Sequence, residues 1–189
     1  MLFHASRTPD LKTLIPHISN HGTPLVYLSQ KRENVLVYLS NAVEKCCKEM
    51  GFAHSGTYTV WGSYGFNREG VLTLDEYYPD AVRDTYKGVE GYIYTAEESG
   101  DFKAMADIPF AFTSEKPIEV LNCEFVSDAY AALLSEAEQG KIIITKYENN
   151  TPAKLDWIEK TVKEEYLQSA DRPEYRFFLK QKFDFLKQY

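Results

Sequence analysis

The sequence is short of most marks that would declare a function class. Lys and Arg number 21 against 28 Asp and Glu, a net charge of −7, so no global basic field draws a phosphate backbone. Nucleic acid would have to be met through a local patch. Three cysteines (Cys46, Cys47 and Cys123) make no disulfide framework, and the adjacent pair cannot readily bridge inside a helix. Reduced thiols point to a cytoplasmic setting. The opening Met1-Leu2-Phe3-His4 has no basic segment followed by an apolar one, so no secretory leader is expected there. No apolar run approaches the ~20 residues of a bilayer span, and no membrane partner is expected.

Standard chemical motifs are missing too. There is no Gly-x-Gly-x-x-Gly, no phosphate loop, no Cys-x-x-Cys and no His-Glu-x-x-His. Gly62-Ser63-Tyr64-Gly65 lacks the spacing of a nucleophile elbow. His17 and His21 stand four apart, but in a polar loop without helical periodicity, and read as solvated histidines rather than a metal pair. No metal is expected.

What the chain does have is aromatic side chains, 14% of its residues, with 14 Tyr and 11 Phe. Tyr suits half-buried strands and ligand pockets alike, because it joins an apolar face to a hydroxyl. A short strand is expected at 1–5, a helical turn at 10–14, a loop at 17–23 and a buried strand at 25–28. Residues 32–50 follow a helical period, with Val35, Leu36, Leu39, Ala42, Val43 and Cys46 on one face, Ser29 placed to cap the start and Gly51 past the end. Strands are expected at 58–61, 71–74, 91–95, 110–113, 118–126 and 142–147, a turn at 64–67, and helices at 79–85 and 129–139. After a linker-like 148–152 come helices at 153–168 and 173–189. The second carries Phe177, Phe178, Phe183 and Leu186 close together, a face that must pack on the main body or on another subunit. The fold class is α+β, divided into a main domain at 1–148 and a helical extension at 149–189. A homo-oligomer through those helices is one consequence of that face.

Three marks in the first forty residues carry more. They are His4-Ala5-Ser6 on the first strand, Pro24-Leu25-Val26-Tyr27-Leu28-Ser29 on the next long one, and Tyr38, eleven residues after Tyr27, on the helix that follows. An imidazole, a hydroxyl and two phenols could gather at one cleft. This arrangement resembles the ADP-ribosyltransferase superfamily, most nearly the branch that includes the poly(ADP-ribose) polymerases, which carries His-Gly-Ser or His-Gly-Thr, then Gly-Ile-Tyr-Phe-Ala, then a second tyrosine. The resemblance implies a split, mostly antiparallel mixed sheet with a central cleft that binds NAD as substrate. It implies that His4 holds the adenosine ribose with Ser6 beside it, that the Ala5 backbone binds the nicotinamide amide, and that Tyr27 and Tyr38 sandwich the ring. A flat cationic ring gains from aromatic faces on both sides.

Two positions depart from that pattern. Ala5 stands where the family has glycine, and Val35 where the polymerases have a serine that bonds the amide. The family's acid, a glutamate that stabilises the oxocarbenium-like ribose, falls at Glu119 or Glu115. An alternative register puts Ala111 or Phe112 there, and the acid is then missing. Taken one at a time, each residue has a structural reading: His4 as a satisfied core imidazole, Tyr27 as strand packing, Tyr38 as core edge, Glu119 as a solvated strand residue. The expected function is NAD binding, with transfer of ADP-ribose to an unnamed protein or nucleic-acid acceptor. The alternatives are a non-catalytic interaction module on the same fold and an enzyme like the RNA 2′-phosphotransferases, which use basic residues in place of the glutamate.

Overall fold

The structure, a computed structural model, describes residues 1–18, 22–56, 59–98 and 102–189. Residues 19–21 of the loop expected at 17–23, Tyr58 of the strand expected at 58–61, and residues 99–101 lie outside the described residues.

In chain order the strands and helices are β1 (Leu2–Ser6), β2 (Thr13–Leu14), β3 (His17–Ile18), β4 (Pro24–Ser29), α1 (Arg32–Val35) running into a 3-10 turn at Leu36–Tyr38, and α2 (Ala42–Glu49). Then come β5 (Tyr64–Phe66), β6 (Leu72–Asp75), α3 (Ala81–Tyr86), β7 (Gly91–Ala96), β8 (Lys103–Ala104), β9 (Ala111–Ser114), β10 (Ile118–Glu119) and β11 (Asn122–Val126). The chain closes with α4 (Ala129–Glu138), β12 (Ile142–Thr145), α5 (Pro152–Gln168) and α6 (Pro173–Lys182). The fold is α+β with mostly antiparallel sheets.

The largest sheet runs β11-β7-β1-β4-β9-β8, with β3 paired to β4. Two smaller sheets run β10-β2 and β12-β6-β5. The ladder from β1 to β7 is complete, from Leu2 opposite Ala96 to Ser6 opposite Tyr92. Between β1 and β4 a single pair, Phe3 opposite Ser29, is formed among the described residues. One face of β1, β4 and β7 builds an apolar core from Leu2, Val26, Leu28, Tyr94 and Ala96, joined by Leu14 and Ile118. Side chains on a strand alternate between faces, so Ala5, Tyr27 and Ser29 turn to the other side.

Contacts divide the chain into two compact units, one of residues 1–39, 65–73 and 88–143, the other of 40–64, 74–87 and 144–189. The second is organised around Trp61, whose ring lies 5.4 Å from that of Phe178, 5.7 Å from Tyr78 and 6.2 Å from Phe183. Helices α2, α5 and α6 contribute Val43, Cys46, Val162 and Leu179 to the same cluster. The apolar face expected of the last helix is thus covered within its own unit. Phe177, at its edge, stacks on Phe52 at 4.2 Å.

Several local expectations are corrected. The helix expected over 32–50 is broken at Leu39, where ψ reaches 66°. The Ser40 hydroxyl, 1% exposed, donates to Trp61 O at 2.7 Å, 21 residues away, and accepts from Ala42 N–H at 3.4 Å, the second being a local bond of the kind by which serine competes with helical ladders. The helix resumes at Ala42 and ends where expected, with Gly51 at φ +68 beyond its last turn. No helical turn forms at 10–14, because Thr13 and Leu14 pair instead with Glu119 and Ile118. That pairing also splits the strand expected at 118–126: β10 joins β2, and β11 joins β7. The turn expected at 64–67 begins as β5, residues 59–61 form no strand, and the last helix stops at Lys182, followed by a 3-10 turn at Asp184–Leu186.

Gly91 is the position where the sheet of the first unit most needs a missing side chain. A Cβ there would lie 2.5 Å from Leu39 Cδ2, a separation no unstrained pair of carbons adopts.

Candidate functional site

The residues singled out from the sequence all lie in the first unit, and four of them, His4, Ser6, Tyr27 and Tyr38, divide between two cavities that Ala5, Glu115 and Glu119 do not line. Tyr27 and Tyr38 line one of them, a narrow space of about 20 Å³. His4 and Ser6 line the other, of about 360 Å³, with Thr13, His17 and Val26. The alternation along β4 accounts for the division: Val26 faces the His4 cavity, and its neighbour Tyr27 faces the other.

His4 is tied to the strand that bears Tyr27. Its Nδ1 lies 2.8 Å from Tyr27 O. A carbonyl only accepts, so Nδ1 carries the proton, and the neutral ring keeps Nε2 as an acceptor. Burial holds the imidazole below its ordinary pKa, against the backbone bond to Tyr27, which raises it. The ring therefore bridges β1 and β4 next to their single backbone pair. Ser6 Oγ accepts from Thr8 N–H at 3.1 Å, and Tyr94 OH donates to Thr8 O at 2.6 Å, which fixes the chain beyond β1. Ala5 stands between His4 and Ser6, opposite Ile93 of β7.

The smaller cavity is built mainly by one continuous stretch. Tyr27 and Ser29 come from the end of β4, Asn34 and Val35 from α1, and Tyr38 from the 3-10 turn. Ser29 Oγ accepts from Lys31 N–H at 3.1 Å, a bond that turns the strand into the helix although Ser29 does not cap α1 itself. Phe66 and the segment before β9, with Ile108 and Pro109, complete the wall. Phe110, next in that segment, has φ +60. A residue with a Cβ is held in this left-handed region at a cost of about 1–2 kcal/mol. Its carbonyl accepts from Gln30 N–H at 2.9 Å, and Lys31 Nζ sits 4.0 Å from its ring centre. Strain of this kind collects at ligand sites.

Asn34 was not among the residues singled out from the sequence. It is 5% exposed, and neither its amide nitrogen nor its oxygen has a hydrogen-bond partner among the described residues. Leaving a buried donor or acceptor unpaired costs about 1–3 kcal/mol. The one sequence signal was its spacing of four residues before Tyr38, which places both on one side of a helical turn.

Comparison with known proteins brings no neighbour: no family model, no curated protein and no solved structure matches this chain. The site must be read from its own residues.

The two candidate acids stand apart from the tyrosines. Glu115 is exposed and pairs with Lys103 Nζ at 2.6 Å, a bond that holds its carboxyl below the usual range. Glu119, on β10, accepts from Thr13 Oγ1 at 3.4 Å, so it reaches the edge of the His4 cavity through a residue that lines it. The strand that runs beside β4 at the tyrosine cavity is β9, with Ala111 opposite Ser29 and Thr113 opposite Tyr27. Its sequence, Ala111-Phe112-Thr113-Ser114, holds no carboxylate. Among the described residues, neither cavity is lined by Arg or Lys. Among the described residues no helix is long and apolar enough to cross a membrane.

Proposed function

We propose that this chain is an ADP-ribosyltransferase-like protein that binds NAD and takes the nicotinamide ring between Tyr27 and Tyr38. The observation that carries the reading is that these two tyrosines, eleven residues apart, line one cavity of the same unit. Two further features support it. The β1–β4 ladder is reduced to one pair, as a sheet split by a cleft would have it. His4, with Nδ1 committed to Tyr27 O, keeps Nε2 to accept from a ribose hydroxyl.

Transfer chemistry has weaker support than binding. Stabilising an oxocarbenium-like ribose needs a negative charge placed where positive charge develops, and β9 offers no carboxylate beside the tyrosines. Glu119 is the one candidate acid that reaches a cavity-lining residue. Our reading is therefore a binding protein on a transferase-like fold, with NAD as ligand. The second reading, an interaction module that takes no nucleotide, is favoured by the small volume of the tyrosine cavity. The lack of lining Arg and Lys argues against a phosphotransferase of the RNA 2′ type.

A thermal-shift titration with NAD and nicotinamide on wild type and Tyr27→Ala tests this. A ligand that binds only the folded state adds about 2.7 kcal/mol at a hundredfold excess over its dissociation constant. The expected result is a shift in wild type that the variant loses. No shift at millimolar ligand leaves the interaction module. Release of nicotinamide from NAD that stops in Glu119→Gln would make the protein an enzyme that cleaves the nicotinamide–ribose bond, and ADP-ribose appearing on an acceptor would make it a transferase.

A further inference from the structure

The amide of Asn34 is a buried donor and a buried acceptor side by side, both unmatched among the described residues, at the cavity of Tyr27 and Tyr38. Both oxygen lone pairs and both N–H groups of an amide are ordinarily satisfied once water is excluded. Asn34 sits on a single turn of helix, where a short polar side chain normally turns to solvent or bonds its own backbone. Here it does neither. A residue that helps neither the helix nor the core makes sense if its partner comes from outside the chain.

The geometry of a carboxamide narrows that partner. One N–H and the C=O of Asn34 point along the same edge, so they pair best with a group that offers an acceptor and a donor in the opposite order. The aromatic rings on the cavity wall ask for a flat molecule. We propose that Asn34 reads the amide edge of a planar ring held by Tyr27 and Tyr38, through two reciprocal hydrogen bonds. The inference rests on the reading of those tyrosines as a ring-binding pair. It names the residue that selects the ligand: a nicotinamide-type carboxamide is accepted, and the corresponding carboxylate, which has no donor, is refused. An adenine edge carries the same donor and acceptor and is the other source of such chemistry.

The cavity as it stands, about 20 Å³, holds little more than one water, which needs about 10–15 Å³ of such space. A ring enters when a wall side chain turns aside. Tyr38, 43% exposed, is the more exposed of the two tyrosines. A lone water on Asn34 would satisfy it in the empty state and be displaced by a ligand that reproduces its bonds.

The test compares nicotinamide, nicotinate and adenosine, with NAD beside them, by calorimetry on wild type, Asn34→Leu and Asn34→Asp, with melting temperatures measured alongside. Wild type is expected to bind nicotinamide at least about tenfold more tightly than nicotinate, because nicotinate lacks the donor for Asn34 Oδ1 and sets a charged oxygen against it. Asn34→Leu is expected to lose at least about tenfold in nicotinamide affinity while melting at or above the wild-type temperature, since an apolar side chain removes the unpaired amide. A residue with a merely structural role would lower the melting temperature instead. The two-ligand comparison on wild type needs no variant, and Asn34→Asp, which keeps size but loses the donor, covers a failure of the leucine variant to fold. Equal affinity for nicotinamide and nicotinate overturns the proposal, as does an unchanged affinity in either variant. If NAD binds wild type and variants equally, the role of Asn34 fails while NAD binding stands. If adenosine binds through Asn34 and nicotinamide does not, Asn34 reads an amide edge but the nicotinamide reading falls. If none of the three ligands nor NAD binds, both fail together.

Discussion

In the 40–64, 74–87 and 144–189 unit, Trp61, Tyr78, Phe178 and Phe183 meet ring to ring, and its buried charges are answered. Glu76, fully buried, receives Lys146 Nζ at 3.1 Å and Tyr147 N–H at 3.2 Å, and Glu174 accepts from Ser55 N–H at 2.9 Å. The 1–39, 65–73 and 88–143 unit packs a sheet in a comparable way, yet keeps at one cavity an amide with neither atom bonded. The aromatic unit also has an unpaired atom among the described residues, Asn41 Oδ1, but Asn41 lines neither cavity. The difference teaches where to look for function. Aromatic content alone, highest around Trp61, marks a core. An unmet polar group beside two tyrosines marks a place where something is expected to bind.

The largest effect should come from the aromatic unit. Phe178→Ala removes a fully buried ring from the Trp61 cluster and is expected to cost about 3–5 kcal/mol in denaturant unfolding. Tyr38→Ala, at the half-exposed ring of the candidate site, should change stability by less than about 1 kcal/mol. Similar losses from the two would erase the contrast between core and site aromatics.

A smaller effect is expected at the sheet of the first unit. Gly91→Ala forces a methyl against Leu39 and should cost about 1–3 kcal/mol, in the manner of overpacked cores. The same change made in a Leu39→Ala background should cost less than half as much, since the obstructing carbons are gone. An equal cost in both backgrounds would show that the backbone, not the side chain, makes the glycine necessary.

The smallest effect is a pH dependence at His4. Its folded pKa lies below the ordinary 6.5, so the folded state favours the neutral ring. The unfolded chain then binds the proton more readily, and stability is present above pH ~6.5 and lost as pH falls toward the folded value. Each unit of depression is worth about 1.4 kcal/mol. Stability curves for wild type and His4→Gln should converge as pH drops from 7 to 5. Parallel curves would mean that His4 titrates alike in both states.

Much of the fold was legible in the chain because it is governed by local period. The apolar run at 25–28 is β4, the helical spacing within 32–50 holds over α2, the helices expected at 129–139 and 153–168 are α4 and α5, and the strand at 91–95 is β7. The misses lie where distant residues compete. Thr13 and Leu14 became a strand because Ile118 and Glu119 offered backbone partners, which no window around residue 13 contains. The helix at 32–50 broke because the Ser40 hydroxyl found Trp61 O, 21 residues away.

The candidate site divides along the same line. Spacing along the chain brought Tyr27, Asn34 and Tyr38 within reach of one another, since a strand end, one helical turn and a 3-10 turn are short and continuous. The class of fold, the acidic balance and the lack of known catalytic motifs were likewise properties of composition and order. Which cavity each side chain entered was settled by pairing across long stretches of chain. His4 reaches Tyr27 O over 23 residues, and Glu119 reaches Thr13 over 106. Loop closure over such distances depends on what else the chain can pair with, and that is a property of the whole folded molecule rather than of any motif. The isolation of the Asn34 amide belongs to the same class, because a missing partner becomes a fact only after every neighbour has been placed.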